Sequence, residues 1–371
     1  MRLGAALIVR DVAEHLDRCL TSIRDLVDEI VVVDTGSVDD TVAVACRHGA
    51  RVDHLPWQDD FAAPRNRSLD LLDADWVLYI DADEALEGDL AGLRALLERS
   101  DDHAAFRVRF VPRVGWTGYR EYRIWRHRPD IRFHGRIHES VVGAIAAVAD
   151  HDGLHIGTTD VVTIQHYGYE GDQRDKFARD EPMLRAQLEA DPDRIFLYDH
   201  LARIREARGD AAGAVAAWTA GIDRIRGRTW SHPDDRLVYV NLIVHRVVNG
   251  DRSDVLEALV AEARARGSEI PSLAFAAATL AFARGDAAAA AAHIEPVCTA
   301  SPAEIEATGG AYDARVVGEW AWNLLGLSRF ALGDDVEAAQ AFARAESEAP
   351  DNVAYTTRRR LAEARAAGAR R

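Results

Sequence analysis

Apolar and polar positions switch between two periods over the first hundred residues, and each switch marks an element. Residues 3–9 form a continuous apolar run of strand length, and 13–26 then place Leu16, Leu20 and Ile23 at helical spacing. Residues 29–33 are a second β-branched run, ending in Asp34-Thr35-Gly36-Ser37. Asp39-Asp40-Thr41 opens a helix with carboxylates at its positive end. Residues 51–55 read as a short strand, 65–72 as a helix, and the β-branched and aromatic run 76–80 as a buried strand. A helix over about 90–98 follows. Successive β-α-β units predict a largely parallel sheet, with ligands bound at the carboxyl ends of its strands.

From about residue 104 to 169 the pattern shifts to short strands with Gly and Pro punctuation and many aromatics, and beyond that it is helical. Gly-Asp pairs recur at Gly209-Asp210, Gly250-Asp251, Gly285-Asp286 and Gly333-Asp334, each between two amphipathic stretches. Leu197, Tyr198, Leu201 and Ala202 precede the first pair, and Ala214, Ala217 and Trp218 follow it. The last unit repeats the grammar with Trp322, Leu325, Gly326 and Leu327, then Ala338, Ala339 and Phe342. Helix-turn-helix units of this kind predict a tetratricopeptide-like solenoid, with the Ala-rich stretch 287–292 as one of its packed helices. Two domains are expected: an α/β domain over 1–171 and an all-α repeat domain over 172–371.

Composition narrows the setting. A chain of 371 residues that is 48% hydrophobic can bury two cores. Its formal charge of −16 opposes nonspecific binding to nucleic acid or anionic membranes. Cys19, Cys46 and Cys298 are too few and too scattered for a disulfide framework, which fits a reducing compartment. The apolar start is too short for a secretory signal, and no stretch approaches the roughly 20 apolar residues of a membrane span. A cytoplasmic protein is expected, with no nucleic-acid partner and no membrane span.

The chemistry gathers in a few segments. Asp81-Ala82-Asp83-Glu84 ends an apolar strand, and residues two apart on a strand share a side. Two carboxylates presented together suit Mg²⁺ or Mn²⁺ shared with substrate phosphates; the alternative is an acidic turn. Asp34 can accept from an imide N–H such as that of uracil, or cap a turn. Arg65 can pair with a phosphate at a helix start, or lie on a helix surface. Downstream lie Arg123-Ile124-Trp125-Arg126, Phe133-His134-Gly135-Arg136-Ile137-His138-Glu139 and Gln165-His166-Tyr167-Gly168-Tyr169. Val142 stands where a zinc-protease pattern would need its second histidine. Glu139 is a candidate general base or a surface carboxylate, and His166 a metal ligand or a strand histidine. His151 and His155 flank a turn at Asp152-Gly153 and read as solvated. Nine arginines between Arg107 and Arg136, interleaved with Trp116, Tyr119, Tyr122 and Trp125, fit a sugar-diphosphate cleft, an acceptor groove or a plain strand surface.

Val9-Arg10-Asp11, residues 33–41, Arg65-Asn66 and residues 79–84 together resemble the family 2 glycosyltransferases of the GT-A fold. The Phe-His-Gly-Arg-Ile-His-Glu and His-Tyr-Gly-Tyr segments, followed by repeat helices, resemble the bacterial subgroup that includes S-glycosyltransferases of glycocin peptides. The resemblance implies a GT-A catalytic domain, an α/β fold with a Rossmann-like mixed sheet. It implies an inverting transfer from a UDP-sugar donor, with a peptide or protein acceptor held by the repeats. Nucleotide-sugar contacts are implied for Val9, Arg10, Asp11, Asp34, Gly36, Arg65, Asn66, Asp81, Ala82, Gly135 and His138. Glu139 is implied as the catalytic base, and Asp81, Asp83 and His166 as the holders of a divalent metal, Mn²⁺ or Mg²⁺. One departure stands out: relatives commonly carry Asn-Glu where this chain has Asp11-Val12. Two alternatives remain: a nucleotidyltransferase, which the lack of a Gly-rich loop with a Lys disfavours, and a non-catalytic repeat protein with a degenerate nucleotide-binding domain.

Overall fold

Eight strands carry the first half of the chain: β1 (Leu3–Val9), β2 (Glu29–Asp34), β3 (Arg51–His54), β4 (Trp76–Tyr79), β5 (Glu84–Gly88), β6 (His103–Val111), β7 (Tyr119–Arg126) and β8 (His155–His166). The computed structural model describes residues 1–112, 115–168, 174–228, 232–267 and 269–369, so Tyr169 and the expected boundary at 171 lie outside them. The chain divides into two compact units, Met1–Val114 with Gly118–Gln187, and Gly115–Thr117 with Leu188–Arg371.

The strands form one mixed sheet in the order β3-β2-β1-β4-β7-β6-β8-β5. β1 to β4 are parallel to one another, while β7 runs antiparallel to both β4 and β6. β1, β2 and β4 are buried on both faces, which is why they read as apolar runs, whereas β3 at the sheet edge is largely exposed. On one face, Leu3, Leu7 and Val9 of β1 pack with α1 (Ala13–Ile23), α2 (Thr41–Arg47) and, farther along, α4 (Leu90–Glu98). Leu16, Leu20 and Ile23 of α1 are fully buried there, each stabilising by about 1.5–3 kcal/mol. On the other face, Ala6, Val31 and Val77 meet α3 (Ala62–Leu71) and α5 (Val142–Asp152).

Two elements depart from the expected pattern. Residues 142–152 are helix α5, not part of a run of short strands: Ile145, Val148 and Ala149 bury one stripe, and Gly153 stops the helix at φ 67°. The segment is apolar almost throughout, so the sequence hides its 3.6-residue period. β5 is also unexpected. The chain turns after β4 and crosses to the far edge of the sheet, where β5 pairs antiparallel with β8.

The second unit is helical, as expected. Helices Phe196–Ala207 and Ala211–Ile225 pack as a pair, as do Pro271–Ala283 with Ala287–Thr299 and Glu319–Leu332 with Asp335–Glu348. One device builds the turns at the recurring Gly-Asp pairs. Gly209, Gly250, Gly285 and Gly333 all have φ between 82° and 91°. Asp210 N–H reaches back to Arg205 O (2.9 Å) and Gly209 N–H to Glu206 O (2.9 Å), and the same two bonds recur at the other three pairs. This is the glycine-dependent close of a helix, which satisfies carbonyls left over at its end. Asp210 and Asp286 then cap the next helix by accepting from Gly213 N–H (2.8 Å) and Ala289 N–H (2.9 Å).

Candidate active site

Parallel pairing brings the carboxyl ends of β1, β2 and β4 to one edge, with Val9 opposite Asp34 in register. The first two loops are laced together. Val9 O accepts from Thr35 N–H (3.0 Å), Asp11 N–H donates to Ser37 Oγ (3.0 Å), and the Asp11 carboxylate accepts from Val38 N–H (2.7 Å). Asp11 is held at φ 50° to do so, while Arg10 points to solvent beside it, 4.0 Å from the Asp11 carboxylate. Asp34 is buried, and its oxygens accept from Gly36 N–H (3.2 Å) and Ser37 N–H (3.1 Å) and contact His54 Nδ1 (3.2 Å). Burial alone would raise this carboxyl; the bonds from Ser37, His54 and Gly36 hold it below its ordinary range. Gly36, at φ 115°, makes that turn possible.

The Asp81–Asp83 geometry corrects the expectation. β4 ends at Tyr79, and Asp81, Ala82 and Asp83 form a turn closed by Glu84 N–H to Asp81 O (3.0 Å), so the two carboxylates do not share a strand face. They have different partners. Asp81 accepts from Arg65 Nη1 (2.9 Å) and from the Tyr79 hydroxyl (3.2 Å). Asp83 Oδ2 lies 3.1 Å from His166 Nε2. Burial pushes the Asp81 carboxyl up, but Arg65 and Arg123 more than offset it and hold it low. The bond to Asp83 raises the His166 imidazole above its ordinary value against the effect of burial.

Arg65 sits on α3 between two carboxylates. Its Nε donates to Glu139 and its Nη1 to Asp81, and its guanidinium lies 4.5 Å from the centroid of the Tyr79 ring. Arg65 is therefore not a surface helix residue, nor is Glu139 a surface carboxylate: their side chains are 9% and 8% exposed. The loop carrying Glu139 is pinned at its base by paired bonds between His134 and Ser140, both 3.0 Å. Its tip needs left-handed backbone at Gly135 (φ 99°) and at exposed His138 (φ 51°). Asn66 is a strut: its amide exchanges two bonds with the Phe133 backbone, at 2.9 and 2.8 Å. Ala82 is buried in the turn.

Two of the three expected metal holders meet, Asp83 and His166. Asp81 is engaged by Arg65, and among the described residues no three His, Cys, Asp or Glu side chains gather to hold a metal. Yet the pair leaves room. A Cβ added at Gly168 would come within 2.5 Å of both Asp83 Oδ2 and His166 Nε2, so the glycine keeps both atoms approachable. A carboxylate and an imidazole fit a divalent ion that takes its remaining ligands from water and phosphate.

The sequence reading gave no individual role to Tyr79, Glu84, Glu121, Arg123 or Gly168. Arg123 takes both Glu84 oxygens (2.8 and 2.9 Å) and one of Glu121 (2.6 Å). The signal was present in Glu121 and Arg123, two charged residues on one side of a strand. Of the nine arginines noted above, most of those described tie the domain together. Arg120 pairs with Asp160, Arg128 with Asp130 and Asp152, and Arg132 with Asp70. His151 and His155 are exposed, as a solvated-loop reading expects, but they lie on α5 and at the start of β8 rather than in a loop.

Parts of the chain are similar to known proteins. Residues 6–147 match the family model described as Glycosyl transferase family 2. A TPR repeat-containing protein of Synechococcus elongatus is 37% identical over 227 residues, 58% of this chain and 56% of that protein. The SPbeta prophage-derived glycosyltransferase SunS of Bacillus subtilis is 27% identical over 143 residues, 37% of this chain and 34% of that one. The chain thus matches little more than half the length of the first relative and about a third of the second. Among solved structures, glucosyl-3-phosphoglycerate synthase from Mycobacterium tuberculosis with Mn²⁺ and UDP-glucose superposes with TM-score 0.38 at 16% identity, over 51% of this chain and 78% of that one. No helix among the described residues is long and apolar enough to cross a membrane. The matched span holds the Asp34 turn, the Asp81–Asp83 turn, Arg65 and Glu139, and it is a glycosyltransferase family 2 domain, carried on a chain that continues into helical repeats.

Proposed function

We propose that this chain transfers a sugar, with inversion, from a UDP-sugar donor to a peptide or protein acceptor, and that the transfer requires a divalent metal. One observation carries the reading. Three segments of the span that matches the family 2 model come together, and His166 joins them from beyond it: Asp83 lies against His166, and Arg65 lies between Asp81 and Glu139.

Asp83 and His166 would hold Mn²⁺ or Mg²⁺, which neutralises charge on the departing diphosphate when bound. The chain's own residues do the rest. Glu139 accepts the proton of the acceptor as the acceptor atom bonds to the anomeric carbon. The bond from that carbon to the diphosphate oxygen breaks, and its electron pair leaves with the diphosphate. Arg65 fixes the Glu139 carboxylate in place before the proton arrives. The laced loops after β1 and β2 give the nucleoside a rigid floor, and the helical repeats offer the acceptor a surface. The reducing, UDP-sugar-rich cytoplasm is the compartment this chemistry suits.

Calorimetry tests the donor. UDP is expected to bind more tightly with Mn²⁺ than without it, and Asp83→Ala is expected to remove that gain. Absence of UDP affinity under both conditions would overturn the donor assignment.

A further inference from the structure

Arg123 takes no part in the chemistry above, yet the fold invests heavily in it. Its side chain is 4% exposed and that of its partner Glu84 3%. A buried charge is costly unless every donor is used. Here both terminal nitrogens go to Glu84, at 2.8 and 2.9 Å, and Nε goes to Glu121 at 2.6 Å. The flat face of the guanidinium lies 4.7 Å from the Tyr79 ring centroid and 5.1 Å from that of Phe110.

Glu84 passes this rigidity on. Its Oε2, held by Arg123, also accepts from the Asp81 N–H at 2.8 Å. Its own N–H closes the turn onto Asp81 O at 3.0 Å. The turn is therefore clamped by one residue through both side chain and backbone. Glu84 is also the first residue of β5 and stands opposite His166 in the antiparallel register, while Tyr167 N–H donates to Asp83 O at 2.7 Å. Whatever fixes Glu84 fixes the distance between Asp83 and His166.

We propose that Arg123 and Glu84 are positioning residues for the divalent cation, holding the Asp81–Asp83 turn so that Asp83 faces His166. The role rests on the metal-dependent reading above. Partners that orient metal ligands typically change affinity by about 10–100-fold when removed.

The test uses the full chain. Arg123→Lys keeps the charge but loses the two-pronged hold on Glu84. The pair Glu84→Met with Arg123→Met removes both charges together, a change that buried ion pairs often tolerate where a single loss unfolds the protein. Calorimetry would measure Mn²⁺ binding in the presence of UDP, and UDP binding in its absence, with circular dichroism reporting the fold. Folded variants are expected to bind Mn²⁺ about 10–100-fold more weakly, with metal-free UDP affinity unchanged. Wild-type Mn²⁺ affinity in either folded variant would overturn the positioning role alone. A wild-type chain that binds neither UDP nor Mn²⁺ would overturn the donor reading, and this role with it.

Discussion

At the scale of single residues, the site turns on Arg65. A general base must be ionised and fixed in place before its substrate arrives. One guanidinium serves Glu139 and Asp81 at once, although Glu139 lies 74 residues away along the chain. Glu139→Gln removes the carboxylate proposed to accept the proton and keeps the size, and Arg65 retains Asp81. Turnover is expected to fall by roughly 10²–10⁴-fold, the usual worth of a general base, with UDP affinity unchanged. Steady-state rates beside calorimetry decide it; equal loss of binding and turnover would mark Glu139 as structural. The sequence made Glu139 and Asp83 visible because short motifs surround them. It left Asp34 open between base reading and turn capping, and the turn bonds to Gly36 and Ser37 are what the fold displays. It could not reveal the Arg65 and Arg123 clamps, because those join residues from strands and helices far apart in the chain.

At the scale of elements, legibility followed period. Strands buried on both faces and helices with a clean stripe, such as α1 with Leu16, Leu20 and Ile23, stood out at once. Helix α5 did not, because its exposed face is also apolar, and β5 did not, because its Glu-Ala-Leu-Glu-Gly sequence carries no strong β signal. The recurring Gly-Asp pairs were legible because one turn geometry needs the glycine at positive φ each time, and in two of the four the aspartate caps the next helix. Inside the repeats one buried charge has a consequence that can be measured. Asp199 Oδ1 accepts from Trp218 (2.7 Å) and Asn241 (2.7 Å), but Oδ2 has no hydrogen-bond partner among the described residues. Burial therefore raises its pKa, with Arg203, Asn241 and Trp218 opposing. Where a folded carboxyl titrates above its unfolded value, the unfolded chain ionises first. The penalty is absent below the unfolded pKa, near an aspartate's ordinary 3.8, and grows as pH rises through the folded one. Asp199→Asn keeps the Oδ1 bonds and removes the titration. The second unit of the variant is expected to match wild type at low pH and gain on it steadily as pH rises, read as the difference in melting midpoint. Parallel profiles would show that Asp199 titrates alike in the folded and unfolded chain, and would overturn the raised value.

At the scale of the whole molecule, the candidate site and the repeats fall in different units. Asp34, Arg65, Asp81, Asp83, Glu139 and His166 all belong to the first unit, which has its own cores on both faces of the sheet. The second unit has hydrophobic clusters of its own, such as that around Ile294, Leu324 and Leu325. If the repeats hold the acceptor, donor chemistry and acceptor transfer should come apart when they are removed. A chain ending at Gln187 is expected to bind UDP with Mn²⁺ and to hydrolyse the donor slowly, because water can replace the acceptor at the anomeric carbon. Transfer to a peptide should be lost, by mass spectrometry of reactions holding mixed UDP-sugars and candidate peptides. UDP binding by the shortened chain certifies that the site is folded, so a lost transfer is not merely a lost protein. Full peptide transfer by that folded first unit would move acceptor recognition away from the repeats and into the glycosyltransferase domain itself.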